Sequence, residues 1–182
     1  MRRCSWVNLD NPLYVSYHDE EWGRPQHDDR RLYEMVILEC FQAGLSWECI
    51  LNKRESFREA FAQFDADKVA AFAEADVDRL MADKRIIRNR LKIVAAINNT
   101  KVFKQIQEEW GSFDHYIWHF TDGQTIYEAY TERTTSPLSD EVSKDMRKRG
   151  MKFVGSTTVY SLLQSIGVIN AHGPECDLHH RA

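Results

Sequence analysis

The chain has 182 residues, 43% apolar and 29% charged, which suits one globular domain with a sizeable core and excludes a disordered or fibrous protein. Its formal net charge of −4 does not advertise a nucleic-acid binder, although a charge sum is blind to local patches. No stretch approaches the roughly eighteen apolar residues of a membrane span, and Met1-Arg2-Arg3-Cys4-Ser5-Trp6 lacks the apolar run of a signal peptide, so a cytoplasmic protein with free or metal-bound thiols is expected.

The chain opens with Trp6, Tyr14, Tyr17 and Trp22 among the turn residues Asn8, Asp10, Asn11, Pro12, Gly23 and Pro25, and reads as irregular there. Aromatics in such a segment make either a satellite core or a pocket for a flat ligand. Asp28 and Asp29 start the first strong helix, with acids in the favoured first turn, and it runs to about Ala43. Leu32, Met35, Val36, Glu39 and Ala43 fall within an arc of about 100° on its wheel, which puts a carboxylate in the middle of an apolar stripe. Such a group must be paired, protonated or used. A core Glu bridged to a core Arg or Lys accounts for the pattern as well as a functional carboxylate does. Gly44 suits the left-handed position past a helix end, Ser46 can cap the next helix, and Leu45 is left as an apolar side chain on the turn.

Trp47, Ile50 and Leu51 begin a second helical run that Phe57 and Phe61 continue and Phe64-Asp65 ends. Asp65 caps a helix from Ala66 to Phe72, and a short one follows from about Asp76 to Ala82. A longer helix carries Leu91, Val94, Ala95, Val102 and Ile106 at helical spacing. Ser112 caps a short aromatic helix through His119, and residues 121–138 read as a loop. Ser139 starts a helix that Gly150 stops, and Ser156 starts another that Gly167 stops. No convincing alternating strand and no repeat is visible, so the fold class is all-α with many short helices.

Two segments are cationic and free of acid. Lys84-Arg85-Ile86-Ile87-Arg88-Asn89-Arg90-Leu91-Lys92 holds five cations, and Met146 to Lys152 holds four. Any one such cluster is usually a solvated face. Two of them, each beside a helix boundary, fit a phosphate track.

Cys40 and Cys49 sit in apolar helical contexts and read as small buried hydrophobes. Cys4 and Cys176 lie in irregular termini, with His18 fourteen residues after the first and His172 four before the second. Two Cys and two His can close a tetrahedral structural zinc site that clips the termini together. Unrelated surface residues fit the spacing equally well, with His179 and His180 as rival ligands.

Motifs running almost end to end resemble the type I DNA-3-methyladenine glycosylases of the helix-hairpin-helix glycosylase superfamily. They are Arg3-Cys4-x-Trp6, Pro12-Leu13-Tyr14, Tyr17-His18-Asp19-x-Glu21-Trp22-Gly23, Leu38-Glu39, and Gln42-Ala43-Gly44-Leu45-Ser46-Trp47. Lys53-Arg54-Glu55, Phe64-Asp65-x-x-Lys68-Val69-Ala70, Ile86-Ile87-Arg88-x-Arg90-x-Lys92, Lys148-x-Gly150-x-Lys152-Phe153-x-Gly155 and His172-x-x-x-Cys176 follow in order. Lys84, Arg85 and Leu91 depart from the small turn residues of many relatives, and Phe41 from a polar one.

The resemblance implies a two-lobed fold, with a hairpin-bearing lobe over 46–112 and a zinc-stapled lobe over 1–45 and 113–182. It implies one structural Zn²⁺ per chain on Cys4, His18, His172 and Cys176. It places catalysis on Glu39 and Tyr17, base binding on Tyr14, Trp47, Trp6 and Trp22, and DNA binding on Gln42, Gly44, Leu45, Arg85, Arg88, Arg90 and Lys92. The implied reaction is base flipping and hydrolytic release of 3-methyladenine from alkylated double-stranded DNA, without strand cleavage. A monomer is expected, because the duplex needs the exposed face. The competing reading is a zinc-stapled DNA- or protein-binding module without catalysis. A zinc hydrolase is disfavoured, since four protein ligands leave no coordination position for water.

Overall fold

The computed structural model describes residues 1–128 and 133–179, which places His180 outside the described residues. Among them the fold is helical, as the sequence predicts, with ten α-helices and one pair of very short strands.

The opening segment is not irregular. Asn11 accepts from the Leu13 backbone N–H and Pro12 sits in the first turn, so a helix α1 spans Pro12–Glu20. Asn-Pro is as good a helix start as it is a turn, which is why the segment reads as loop. The second helix, α2 (Asp29–Gln42), follows the sequence boundaries: Asp28 caps it at 2.9 Å from Arg31 N. It is no amphipathic surface helix, however. All ten residues from Leu32 to Phe41 are buried, so α2 is the central rod of the fold and Glu39 is buried with its neighbours on every side of the helix.

The predicted run from Trp47 breaks at Asn52-Lys53 into α3 (Trp47–Leu51) and α4 (Arg54–Ala60). Ala62, Gln63 and Phe64 then turn with φ of 52°, 56° and 52°, a left-handed turn that the wholly buried Phe61 and nearly buried Phe64 hold in place. Asp65 caps α5 (Ala66–Ala70), which ends two residues earlier than expected, and α6 (Glu74–Ala82) begins two earlier. Residues 83–89 make a hairpin into α7 (Arg90–Trp110), capped by Asn89 and stopped by Gly111 at φ 82°. Of its predicted stripe, Ala95, Val102 and Ile106 are buried, whereas Leu91 is 75% exposed and Val94 is exposed. The inward face of the first two turns is set by Lys92, Ile93 and Ala96 instead.

After α8 (Phe113–Trp118), the stretch 121–138 is not all loop. Ile126–Tyr127 forms a strand, β1, that pairs in parallel with β2, Ile169–Asn170, and Ser136 rather than Ser139 caps α9 (Pro137–Lys148). Strands of two residues cannot show alternation, so no periodicity announced them. The last helix, α10 (Ser156–Ser165), packs on α9 and α2, and α2 also packs on α7, α3 and α8. The buried residues form one continuous core that reaches from Cys4 to Cys176.

Candidate active site

One wall of the fold holds a pocket of about 260 Å³ lined by Trp6, Tyr14, Tyr17, Trp22, Glu39, Gln42 and Trp47. Every aromatic predicted for a flat ligand is in that lining. Helix α1 supplies Tyr14 and Tyr17, α2 supplies Glu39 and Gln42, and α3 supplies Trp47. The rings support each other: Tyr17 and Trp47 lie 5.1 Å apart between centroids, Trp6 and Tyr14 5.4 Å, and Trp6 and Trp22 4.8 Å. Sequence reasoning missed Ser161 and Gln164 of α10, and Arg133, which complete the lining. Ser161 and Gln164 are three residues apart on one helical face, but α10 also carries Ser156, Thr157, Thr158 and Ser165, so nothing in its sequence singles them out.

Glu39 is 3% exposed, and its Oε2 is buried without a hydrogen-bond partner among the described residues. Burial alone pushes its carboxyl up to about 8. The tyrosine hydroxyl of Tyr17 is pushed well above its ordinary value by burial and by the nearby Glu39, so it stays protonated. Trp47 Nε1 is a second buried atom without a partner. Buried polar groups are normally satisfied, so an orphan acceptor and an orphan donor on side chains of one pocket point to a ligand.

A core Glu bridged to a core Arg does occur on α2, at another position. Glu34 accepts from Arg54 Nε at 2.7 Å and Arg58 Nε at 2.9 Å, and Arg54 also donates to Glu21 at 2.8 Å. No such bridge reaches Glu39 among the described residues.

Beyond α2, Gly44 has φ 79° and open space where a Cβ would point. The turn is closed by Leu45 N to Gln42 O at 2.7 Å and by Gln42 Nε2 to Leu45 O at 2.8 Å, which leaves Leu45 standing 37% exposed. The hairpin cations are less free than their sequence suggests. Arg85 pairs with Glu59 and Asp83, and Arg90 pairs with Glu74 and Asp78. Lys92 is buried, and its ammonium donates to Phe41 O at 2.7 Å and Ala43 O at 2.5 Å, capping the C-terminal end of α2. The expectation that Lys92 binds DNA is therefore corrected: it lies in the first turn of α7 on the inward face. Arg88 remains exposed with no ion pair among the described residues.

Behind the pocket the termini meet. Ligand atoms of Cys4, His18 and Cys176, all buried, lie within 4.8 Å of one another, an arrangement able to hold a metal ion. His172 lies outside that limit, but its ring is 5.1 Å from that of His18 and its Nε2 is buried without a partner. His172 Nδ1 sits 2.9 Å from Asn170 Oδ1, and His18 Nδ1 sits 2.8 Å from Asp19 Oδ1, which also accepts from Arg3 Nε at 2.8 Å. Each Nδ1 is thus engaged, which fixes the tautomer that leaves Nε2 with a lone pair. Two thiols and two such imidazoles fit a soft, tetrahedral cation. The same rings back the pocket: Trp6 lies 5.3 Å from His18 and Trp22 4.7 Å from His172.

The family model for methyladenine glycosylases matches residues 6–180. The chain is 46% identical over 180 residues to DNA-3-methyladenine glycosylase 1 of Escherichia coli (strain K12), covering 97% of this chain and 96% of that one. It is 39% identical over 178 residues to DNA-3-methyladenine glycosylase of Haemophilus influenzae, covering 96% of both. A 3-methyladenine DNA glycosylase I crystal structure superposes with a TM-score of 0.93 at 44% identity, over 98% of this chain and 100% of the other. The 3-methyladenine DNA glycosylase I of Staphylococcus aureus, whose structure addresses 3-methyladenine recognition, gives 0.93 at 34% identity over 98% and 97%.

Proposed function

The chain belongs to the methyladenine glycosylase family, and from that premise we propose that it releases 3-methyladenine from alkylated double-stranded DNA by hydrolysing the N-glycosidic bond. The observation that carries this reading is the unpaired carboxyl of Glu39 inside an aromatic pocket. A base within a duplex must be swung out of the stack before its glycosidic bond is reachable. The N3-methylated adenine arrives with a positive charge. Tyr14, Tyr17 and Trp47 attract it through their ring faces, each contributing roughly 0.5–2 kcal/mol, with Trp6 and Trp22 bracing them. Tyr17 keeps its proton and serves as a donor.

With an empty pocket at neutral pH, Glu39 holds its proton, because burial disfavours the charge. A cationic base offsets that cost, so base entry and loss of the Glu39 proton to solvent are linked. The carboxylate then holds the charged base through its amino and ring nitrogens. When the bond from C1′ to the base breaks, its electron pair neutralises the departing base, and water adds to C1′ and gives up a proton. The lining side chains among the described residues include no Lys, so no Schiff base is part of the proposal.

On the DNA side, Leu45, presented by Gln42 and Gly44, fills the gap left by the extruded nucleotide. The hairpin at 83–89 faces the phosphate backbone with its amides and Arg88. Arg85 and Arg90 contribute there to the extent that phosphate displaces their carboxylate partners. Cys4, His18, His172 and Cys176 hold one zinc ion whose chemistry is structural, fixing the termini and, through them, Trp6 and Trp22. The protein acts as a cytoplasmic monomer; among the described residues no helix is long and apolar enough to cross a membrane.

The test is release of 3-methyladenine from methylated duplex DNA. Wild type releases the base, and Glu39→Gln loses on the order of 10²–10³ in rate while keeping its fold. Wild-type protein that binds the duplex and frees no base would instead favour a binding module.

A further inference from the structure

We propose that Arg133 is a phosphate-binding residue at the mouth of the Glu39 pocket, and that it takes a phosphate of the nucleotide whose base has entered. The proposal rests on the glycosylase reading and adds to it a contact that forms only once the nucleotide is flipped. Arg133 lines the same pocket as Glu39. Its side chain is 43% exposed, whereas Glu39 is 3% exposed. The carboxyl therefore lies at the floor and the guanidinium at the rim. A nucleotide that enters base first leaves its sugar and phosphates at the rim, where the anion meets Arg133. A planar guanidinium with its donors in a fork suits a phosphate through two parallel hydrogen bonds.

A bare cation on this wall would oppose a pocket that receives a positively charged base. Here the charge is balanced and held in place. Arg133 pairs with Glu128, whose side chain is 13% exposed. Arg133 Nε donates to the Tyr160 hydroxyl at 3.3 Å, and that hydroxyl donates to Glu128 Oε2 at 2.7 Å. The guanidinium carbon stands 5.8 Å from the centre of the Tyr160 ring, within reach of cation–π attraction. Both supports are fixed by the fold. Tyr160 precedes Ser161 on α10, and Glu128 follows β1, with its amide donating to Asn170 O at 3.0 Å. Glu128 and Tyr160 are thus positioning residues. They hold the guanidinium before DNA arrives, which reduces the ordering cost of taking a phosphate.

The experiment compares wild type with Arg133→Gln in three measurements. They are single-turnover base release from methylated duplex, affinity for undamaged duplex, and affinity for free 3-methyladenine read by tryptophan fluorescence. Base release slows roughly tenfold or more, the loss expected for a charge-assisted hydrogen bond, while both affinities stay within about twofold. Neither an unflipped duplex nor a free base brings a phosphate to the rim, and an unchanged free-base affinity also shows an intact pocket. Arg133→Lys, which keeps a cation beside Glu128, recovers part or all of the rate. Release by Arg133→Gln at the wild-type rate overturns the proposal. So does a loss of free-base affinity as large as the loss in release, which would put Arg133 against the base. An equal loss on undamaged duplex overturns it too, by making Arg133 a general backbone contact. Each of these leaves wild-type release intact, whereas wild type that frees no base removes the glycosylase reading itself.

Discussion

Glu34 and Glu39 lie five residues apart on the same helix, both buried, yet Glu34 is bridged by Arg54 and Arg58 and Glu39 meets no cation among the described residues. The first is an ordinary buried ion pair, and the second is a carboxyl maintained at a cost. Their substitutions therefore separate. Glu34→Gln leaves Arg54, which is 7% exposed, with Glu21 as its remaining carboxylate among the described residues, and lowers stability by about 1–3 kcal/mol. Glu39→Gln leaves no charge unpaired and melts at or above the wild-type temperature, while base release collapses. Thermal melts of both variants beside a base-release assay check the pair, and a stable Glu34→Gln or an unstable Glu39→Gln contradicts the division of labour.

The raised value of Glu39 has a consequence for pH. Its folded value is about 8 against an ordinary 4.5, so between those limits the native state holds a proton that the unfolded chain has lost. Its stabilising contribution is complete below about pH 4.5 and is lost as pH rises towards 8, at up to about 1.4 kcal/mol per unit. The difference in unfolding free energy between wild type and Glu39→Gln should thus shift against wild type from pH 5 to pH 8. The affinity for free 3-methyladenine cation should rise over the same interval, because less work is needed to ionise the carboxyl. Denaturant titrations at several pH values measure the first, and a flat difference would mean that Glu39 is ionised in the empty pocket.

The Cys4, His18, His172 and Cys176 cluster gives a third expectation. Purified protein should carry one equivalent of zinc, and a strong chelator should lower its melting temperature. A ligand held at a thousand times its dissociation constant contributes about 4 kcal/mol. Because His18 and His172 back Trp6 and Trp22, base release should fail in step with the loosening of the fold. Metal analysis and circular dichroism during chelation decide it: activity lost while the fold persists would assign the metal to the chemistry.

Much of this was legible in the sequence, for identifiable reasons. Helix starts at Asp28, Ser46, Asp65 and Ser112 carry side chains that cap backbone N–H groups locally, so neighbours in the chain suffice to find them. The aromatic residues of the pocket were legible because few other roles suit rings in a polar segment. Helix α1 was hidden because Asn11-Pro12 serves a turn and a helix start alike. Lys92 was misplaced because a lysine at a helix start looks the same whether it faces solvent or the end of a distant helix. Arg133, Ser161 and Gln164 enter the pocket through packing between segments 94 to 125 residues from Glu39 along the chain, where no spacing rule applies.

Lys92 also yields a fourth prediction. Its ammonium satisfies two carbonyls at the end of α2 with little water to replace it. Lys92→Met keeps the stem and removes the charge, leaving Phe41 O and Ala43 O short of a donor. Each buried group left unsatisfied costs about 1–3 kcal/mol, so the melting temperature should fall by several degrees. Lys92→Arg should recover part of the loss. A variant as stable as wild type would show that these carbonyls are served by water.

Leu45 separates flipping from chemistry. A closed turn holds it out from the helix ends, and nothing in the core requires its exposed side chain. If it fills the gap left by an extruded nucleotide, that gap exists only in a duplex. Leu45→Ala should therefore slow base release from duplex DNA roughly tenfold, the effect of losing burial of about two methylene groups. On single-stranded methylated DNA, where a base swings out without unpairing, the same variant should act within about a factor of two of wild type. Gly44→Ala should mimic it for another reason: a residue with a Cβ resists φ 79° and displaces the turn by backbone strain, since no neighbouring atom would clash. Equal losses on the two substrates would place Leu45 in the pocket rather than in the stack.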